Sequence, residues 1–126
     1  MSEATFGYQQ NTGNLTNSGA QAFSTAGKSV TTAPGCLFHL SAVNKSTTTG
    51  YFIQIHDKAT APVNSDVPVW EGKLAAGSDW SVGFQGFGLY LVNGLALAIS
   101  TTAGSLTLDG AATGAVAYAR YTKPSP

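Results

Sequence analysis

The sequence GCLFHLSAVNKSTTTGYFIQIHD, residues 35–57, contains two strand patterns separated by a polar loop. Alternation across Gly35–Val43 predicts one face made of its even-numbered residues and another made of its odd-numbered residues. Tyr51–Asp57 alternates in the same way, and large side chains on both of its faces predict a central strand. The intervening loop 44–50 ends in a glycine, which favours a hairpin-type connection between the two strands.

Five further strand patterns follow, separated by turns rich in Gly, Ser, Thr, Asn and Asp. They are Pro68–Leu74, Trp80–Phe84, Gly88–Ser100, Ser105–Leu108 and Ala115–Thr122. Gly88–Ser100 is too long for one typical strand, and Gly94 is expected to divide it into Leu89–Val92 and Leu95–Ser100. Because no stretch combines helical periodicity with helix caps, the sequence predicts an all-β fold, an antiparallel β-sandwich of jelly-roll type.

The first 28 residues, Met1–Lys28, differ from the rest because neither the helical nor the strand period holds there. Such a polar segment cannot by itself bury enough apolar surface to offset the entropy of ordering it. Spaced apolar side chains favour an extended N-terminal arm that orders against a neighbouring subunit, although a solvated tail is the alternative. The predicted anchors of the arm are Phe6, Tyr8, Leu15 and Phe23. Residues 29–126 are then predicted to form the sandwich domain.

The composition is unusually poor in charge. Charged residues make up 10% of the chain, against about 25% in an average soluble domain. The formal net charge is zero, so electrostatic attraction to nucleic acid or to an anionic membrane is not expected. The N-terminus lacks the basic and apolar regions of a signal peptide, and no apolar run reaches the roughly 20 residues of a membrane span. A neutral surface gives little self-repulsion, which favours close packing in an assembly.

Histidine and cysteine do not form a recognisable metal-binding motif. His39 and His56 are predicted at interior positions of neighbouring strands, where they could pair across a hairpin. A metal site would need a third ligand, and Asp57 is expected to point to the face opposite His56. Hydrogen-bonded histidines are therefore favoured. The single cysteine, Cys36, is interpreted as a small buried apolar residue. We expect no metal and no cofactor.

The carboxylates give no clear catalytic pair. Besides Glu3 they are Asp57, Asp66, Glu71, Asp79 and Asp109. A glycosidase needs two carboxyl groups about 5–10 Å apart in a cleft, whereas most of these residues lie at strand ends or turns, where Asp accepts hydrogen bonds from local backbone donors. A hydrolase therefore stays the least supported alternative, and the sequence predicts a non-enzymatic protein without catalytic residues.

An aromatic-rich region occupies the middle of the chain. Its members are Trp70, Trp80, Phe84, Phe87 and Tyr90. One interpretation is a surface platform formed by Trp70, Trp80 and Tyr90, which would stack on a sugar or form a subunit interface. The other is a sandwich core with some edge exposure. The sequence leaves both open, but it argues against a nucleic-acid stacking surface, because basic residues are not interleaved with the aromatic ones.

Two segments resemble virion proteins of tailed bacteriophages. YFIQIHDKATAPVNSDVPVW, residues 51–70, is similar to a strand of the form Tyr-x-Gln-hydrophobic-x-Asp followed by a proline-containing loop. LYLVNGLALAISTTAGSLTL, residues 89–108, is similar to a glycine-containing apolar strand that leads into Ser-Thr-Thr and a threonine-rich segment. The matching residues are Tyr51, Gln54, Asp57, Pro62, Pro68, Gly94, Leu95, Ala98, Ser100, Thr101, Thr102, Thr107 and Tyr118.

The resemblance implies a structural component of the virion, made in the host cytoplasm. The leading hypothesis is a capsid decoration (cement) protein on the outer capsid surface, which bridges capsomers of the major capsid protein. It would be a homo-oligomer, with a trimer expected, and would bind neither nucleic acid nor membrane. The alternatives are a tail, neck or fibre component and a carbohydrate-binding attachment module.

Overall fold

A computed structural model of the chain describes residues 15–22, 27–86, 88–108 and 115–122, and these residues form strands and no helix. In chain order the strands are β1 (Leu15–Asn17), β2 (Gln21–Ala22), β3 (Lys28–Thr31), β4 (Gly35–Asn44), β5 (Tyr51–His56), β6 (Trp70–Leu74), β7 (Asp79–Gly83), β8 (Leu89–Leu91), β9 (Leu95–Ser100) and β10 (Ala115–Thr122).

The strands form two antiparallel sheets. Sheet A has the order β1-β10-β4-β7, with β2 also paired to β10 and β8 also paired to β4. Sheet B has the order β3-β9-β5-β6. The all-β prediction is confirmed, and the two antiparallel sheets are consistent with a β-sandwich.

The apolar core is built from both sheets. Its fully buried members of largest volume are Leu37, Leu40, Ile53, Ile55, Leu74, Leu95, Leu97 and Ile99. Strand β10 adds a row of small residues, Ala115, Ala117 and Ala119, because alternate residues of this strand face inward. Burying one Leu or Ile side chain contributes about 1.5–3 kcal/mol relative to leaving it in water, so these residues supply the main stabilisation of the sandwich.

The alternating patterns predicted most strand positions. Strand β10 has the predicted bounds, and β5 lies in the interior of its sheet, between β9 and β6, as expected. The division at Gly94 is also confirmed. Gly94 has a φ of 153°, and a Cβ built there would lie 2.5 Å from the carbonyl oxygen of Thr31. Only glycine fits both this backbone conformation and this close approach.

The loop after β4 is a correction to the predicted hairpin. Strand β4 lies in sheet A and β5 in sheet B, so residues 45–50 cross between the sheets. The buried Asn44 side chain fixes the crossing, because its amide nitrogen donates to the carbonyl oxygens of Thr49, Leu74 and Ala75 at 2.8–3.3 Å. Two of these acceptors lie about thirty residues away, where local sequence periodicity gives no signal.

The even and odd faces predicted for β4 are also wrong at its first half. Arg120 of β10 is opposite His39, whereas the next residue, Tyr121, is opposite Leu37, so Phe38 is the extra residue of a β-bulge. The bulge places both Leu37 and Leu40 in the core, and it leaves Cys36 only half-buried, whereas the sequence predicted a buried residue.

Residues 105–108 form no strand, in contrast to the predicted Ser105–Leu108. Instead, the buried Leu106 exchanges backbone hydrogen bonds with the β5–β6 connection, accepting from Ser65 at 2.9 Å and donating to Asp66 at 2.8 Å. A single exchange of this kind is too short for a ladder. Strand β3, which pairs with β9, had no counterpart in the sequence prediction.

Candidate binding surfaces

The described part of the predicted N-terminal arm lies on sheet A. Ser18 donates from its backbone nitrogen to Ala119 at 2.8 Å, and its hydroxyl accepts from the Ala119 nitrogen at 2.9 Å. Asn17 accepts from Arg120 Nε at 3.1 Å. Of the predicted anchors, Leu15 begins β1 opposite Thr122. Phe6, Tyr8 and Phe23 lie outside the described residues, so the arm and its boundary at residue 28 stay predictions.

Trp70 and Trp80 meet where the two sheets approach each other. Trp70 begins β6 at the edge of sheet B, and Trp80 belongs to β7 at the edge of sheet A. Their ring centroids are 5.4 Å apart, and the Phe84 ring meets Trp70 edge-on at 5.6 Å. All three side chains are partly buried and pack against the core. This aromatic cluster joins the two edge strands across the sandwich.

Trp80 also lies against the backbone of β6. A Cβ built on Gly72 would lie 2.2–2.9 Å from three atoms of the Trp80 indole, so part of the ring is covered by the protein itself. Tyr90 is located elsewhere. It lies on β8 opposite Cys36, and its side chain is 62% exposed. The structure thus brings two of the three predicted platform residues together. Their role as a ligand platform stays a prediction.

Buried polar side chains line the side of sheet B that faces away from the core. Gln54 of β5 donates to Glu71 Oε1 at 2.7 Å, and its carbonyl oxygen lies 2.9 Å from His56 Nε2. Glu71 in turn accepts from the backbone nitrogen of Gly104 at 3.1 Å. Gln54 and His56 are both almost fully buried. Burial lowers the pKa of His56 below its usual 6.5, because a low-dielectric environment disfavours the charged ring.

Two aspartates fix the loops at one end of the sandwich. Asp57 accepts from the backbone nitrogens of Val92 and Asn93 at 3.1 and 2.7 Å. Asp66 accepts from Lys58 Nζ at 2.7 Å and from the Val63 nitrogen at 2.9 Å. The hydrogen bond from Lys58 holds the pKa of Asp66 below its usual 3.8. Both carboxylates accept from backbone nitrogens, but the donor is local, as predicted, only for Asp66. Asp57 accepts from a loop 35–36 residues away.

Exposed valines occupy the loops that these aspartates hold. They are Val63, Val67 and Val69 of the β5–β6 connection and Val92 of the β8–β9 connection, and each is more than half exposed. Together they account for four of the six exposed large apolar side chains in the described part of the chain. We call these four residues the valine surface. These valines were not predicted from the sequence, because none of them stands out within its local loop pattern.

The outer face of sheet A is the second exposed surface. Tyr118 of β10 lies at its centre and is 46% exposed. Tyr118 was not predicted as a site residue. The alternation in Ala115–Thr122 did carry a usable signal, because it places Tyr118 on the same face as Arg120 and opposite the row of alanines.

The two histidines lie in different sheets. His39 belongs to β4 and is exposed, whereas His56 belongs to β5 and is buried, so the expectation of neighbouring strands is wrong. Across residues 15–22, 27–86, 88–108 and 115–122, no group of three His, Cys, Asp or Glu side chains is placed to hold a metal ion. The same ranges contain no helix long and apolar enough to cross a membrane.

Comparisons with protein-family models, with curated proteins and with solved structures return no match to this chain.

Proposed function

We propose that this chain is a non-enzymatic structural protein of a tailed-phage virion, and specifically a capsid decoration (cement) protein that docks on capsomers through the valine surface. The resemblance of residues 51–70 and 89–108 to phage virion proteins supports the class. The single observation that supports docking is the presence of four exposed valines on two loops that hydrogen bonds to Asp57 and Asp66 hold in place. Concentrated exposed apolar side chains are typical of protein-binding surfaces.

The loops that carry the valine surface are preorganised. Asp57 ties the β8–β9 connection to the end of β5, while Asp66 and the Ser65–Leu106 backbone bond tie down the β5–β6 connection. Valine has one preferred side-chain rotamer in most settings, so it loses little entropy when it is buried. Little conformational entropy is therefore lost on association, while the burial of apolar area contributes a favourable free energy of about 25 cal/mol per Å².

The surface chemistry also fits a repeated assembly. The low charge of the chain reduces repulsion between copies packed on one shell. Asp57, Asp66 and Glu71 are engaged in loop-fixing hydrogen bonds, which supports a structural role over acid–base chemistry. We extend the proposal to a homo-oligomer, a trimer, with a jelly-roll arrangement of strands and an N-terminal arm that contacts a neighbour. Many weak contacts on one shell then combine through multivalency.

The test is co-sedimentation of the full chain with expanded capsids of a phage that encodes it, after accessory proteins have been stripped. We expect saturable binding at a fixed ratio per capsomer and a light-scattering mass of an oligomer for the free protein. The double variant Val63→Ser/Val67→Ser should weaken binding at least about tenfold, because two exposed apolar contacts are lost. Its thermal melt should be unchanged, because surface substitutions cost less than about 0.5 kcal/mol.

Tyr118→Ala is the matched control, because it removes an exposed side chain from a different surface. It should bind capsids as the parent chain does. No saturable binding of the parent chain would refute the decoration role. Localisation of the chain in whole particles with a specific antibody would then separate a tail, neck or fibre position from absence in the virion.

A further inference from the structure

On the outer face of sheet A, the cross-strand neighbours in the row of Tyr118 are small. Strand pairing places Tyr118 of β10 beside Ser41 of β4, and Ser41 beside Ser81 of β7. On one side of this row, Val116 of β10 is paired with Val43 of β4, which is paired with Asp79 of β7. On the other side, Arg120 of β10 is paired with His39 of β4, which is paired with Gly83 of β7. The small residues on β4 and β7 leave the side of the Tyr118 ring open.

Two shallow depressions flank Tyr118. One, of about 340 Å³, is lined by Ser41, Ala42, Val43, Asp79, Trp80, Ser81 and Tyr118. The other, of about 320 Å³, is lined by Asn17, Gly19, His39, Ser41, Tyr118 and Arg120. Each volume lies at the lower end of the range of small-ligand sites. Tyr118 and Ser41 line both, so the two depressions lie on either side of these residues.

The polar groups of this face are largely unused by the fold. Within the described part of the chain, the Ser41, Ser81 and Asp79 side chains make no hydrogen bond. Arg120 has five N–H donors, and Nε donates to Asn17. The face thus offers a carboxylate acceptor on one side of the Tyr118 ring and a guanidinium donor on the other. One negative and one positive group on the same face favour a ligand without net charge.

We propose that this face binds a neutral oligosaccharide, with one sugar ring stacked on Tyr118. The negative face of an aromatic ring attracts the positively polarised C–H groups of a sugar ring. Sugar hydroxyls both donate and accept hydrogen bonds, and Asp79 and Arg120 supply the complementary partners in the two depressions. A chain of several sugars, rather than a single one, contacts both depressions at once. The inference is independent of capsid docking, because it uses none of the valine surface.

A protein partner fits this face less well. The centres of protein–protein interfaces are apolar and well packed, whereas the residues around Tyr118 include two serines, a glycine and charged side chains. A second copy of the chain docking here is therefore an outcome that the experiment has to separate from sugar binding.

The experiment is a titration of the ¹⁵N-labelled full chain with maltohexaose, cellohexaose, xylohexaose and mannohexaose, followed by NMR. We expect at least one of these probes to cause saturable shifts at the backbone amides of Ser41, Ser81, Tyr118 and Arg120. Tyr118→Ala should raise the Kd at least about tenfold, since the loss of a stacked aromatic contact is of that order. Tyr118→Phe should bind within about threefold of the parent, because the ring is retained.

Two controls separate this site from the other surfaces. Tyr90→Ala removes the other strongly exposed tyrosine and should leave the Kd unchanged, as should Val63→Ser/Val67→Ser. The proposal is overturned if none of the four probes shifts these amides, if the shifts map to Trp70 and Trp80 instead, or if Tyr118→Ala binds like the parent. It is also overturned if the same amides shift with protein concentration alone, which would assign the face to self-association.

Discussion

The polar side chains on the outward sides of the two sheets differ in their burial and in their hydrogen bonding. On sheet B, the buried Gln54 and His56 and the half-buried Glu71 form a chain of hydrogen bonds that continues into the loop at Gly104. On sheet A, Ser41 and Ser81 lie in an open face and make no side-chain hydrogen bond within the described residues. A buried polar group costs free energy unless it is paired, so the hydrogen bonds of Gln54 contribute to stability, although His56 Nδ1 is buried without a partner in the described part of the chain. The face of sheet A, in contrast, is available for a ligand.

The aromatic cluster lies between these two regions, and its removal should give the largest effect. Trp80→Ala removes the ring that contacts Trp70 and covers Gly72. We expect the free energy of unfolding in urea to fall by about 3 kcal/mol, the lower end of the range for a Trp-to-Ala change, because the side chain is only partly buried. Tyr90→Ala, on the exposed side of β8, should change it by less than about 0.5 kcal/mol.

If Trp80→Ala left the free energy of unfolding nearly unchanged but abolished ligand binding, the assignment of the ring to the core would be contradicted. It would restore the platform formed by Trp70, Trp80 and Tyr90 that the sequence suggested. The expected result would leave Tyr118 as the exposed aromatic residue with unused polar neighbours.

The second prediction compares a polar residue from each sheet. Gln54→Met keeps the approximate volume of a fully buried side chain but removes the partner of His56 Nε2 and of Glu71 Oε1. We expect a loss of about 2 kcal/mol in the free energy of unfolding, because the buried His56 Nε2 is left unpaired, whereas Glu71 keeps its bond from the Gly104 nitrogen. Ser81→Ala on the open face of sheet A should change stability by less than about 0.5 kcal/mol. Equal effects of the two substitutions in urea denaturation would remove the distinction between the sheets.

The sequence predicted those structural features that depend on local periodicity. Alternation located β5 and β10. In β10 it also separates Tyr118 from the row of alanines, but the structure was needed to show that Tyr118 lies on the outward face. The sequence also located the break at Gly94, because glycine inside a long apolar run is a strong local signal. The predicted use of Asp66 as an acceptor for a local backbone donor was right, because Val63 lies three residues away. For Asp57 the prediction was wrong, because its donors, Val92 and Asn93, lie 35 and 36 residues away in the chain.

Features that depend on pairing between distant strands were beyond the sequence. The crossing after β4 depends on acceptors at Leu74 and Ala75, and the bulge at Phe38 depends on the register with β10. The candidate binding site around Tyr118 also depends on pairing between distant strands. Ser41 and Ser81 are forty residues apart in the chain and become neighbours of Tyr118 only when β7, β4 and β10 pair.

The smallest predicted effect is the pH dependence of the free energy of unfolding. It can be tested by substituting one histidine in each sheet. His56 has a pKa below 6.5 in the folded protein because of burial, while the nearby Lys58 lowers it and Asp66 and Glu71 oppose the shift. The unfolded chain therefore binds a proton more readily than the folded one. Stability from His56 is complete above about pH 6.5 and decreases as the pH falls towards the folded-state pKa, by at most about 1.4 kcal/mol per pH unit.

Measurement of the free energy of unfolding at about pH 7 and about pH 5 should show a lower stability at the lower pH in the parent chain. His56→Gln should reduce this loss, whereas His39→Gln on the exposed face of sheet A should retain it. The lowered pKa of Asp66 does not interfere, because its contribution is present above its usual 3.8 and is lost only as the pH falls below that value. If His39→Gln instead abolished the loss of stability between about pH 7 and about pH 5, the group responsible would lie on the open face of sheet A. The assignment of the pH dependence to the buried His56 of sheet B would then be wrong.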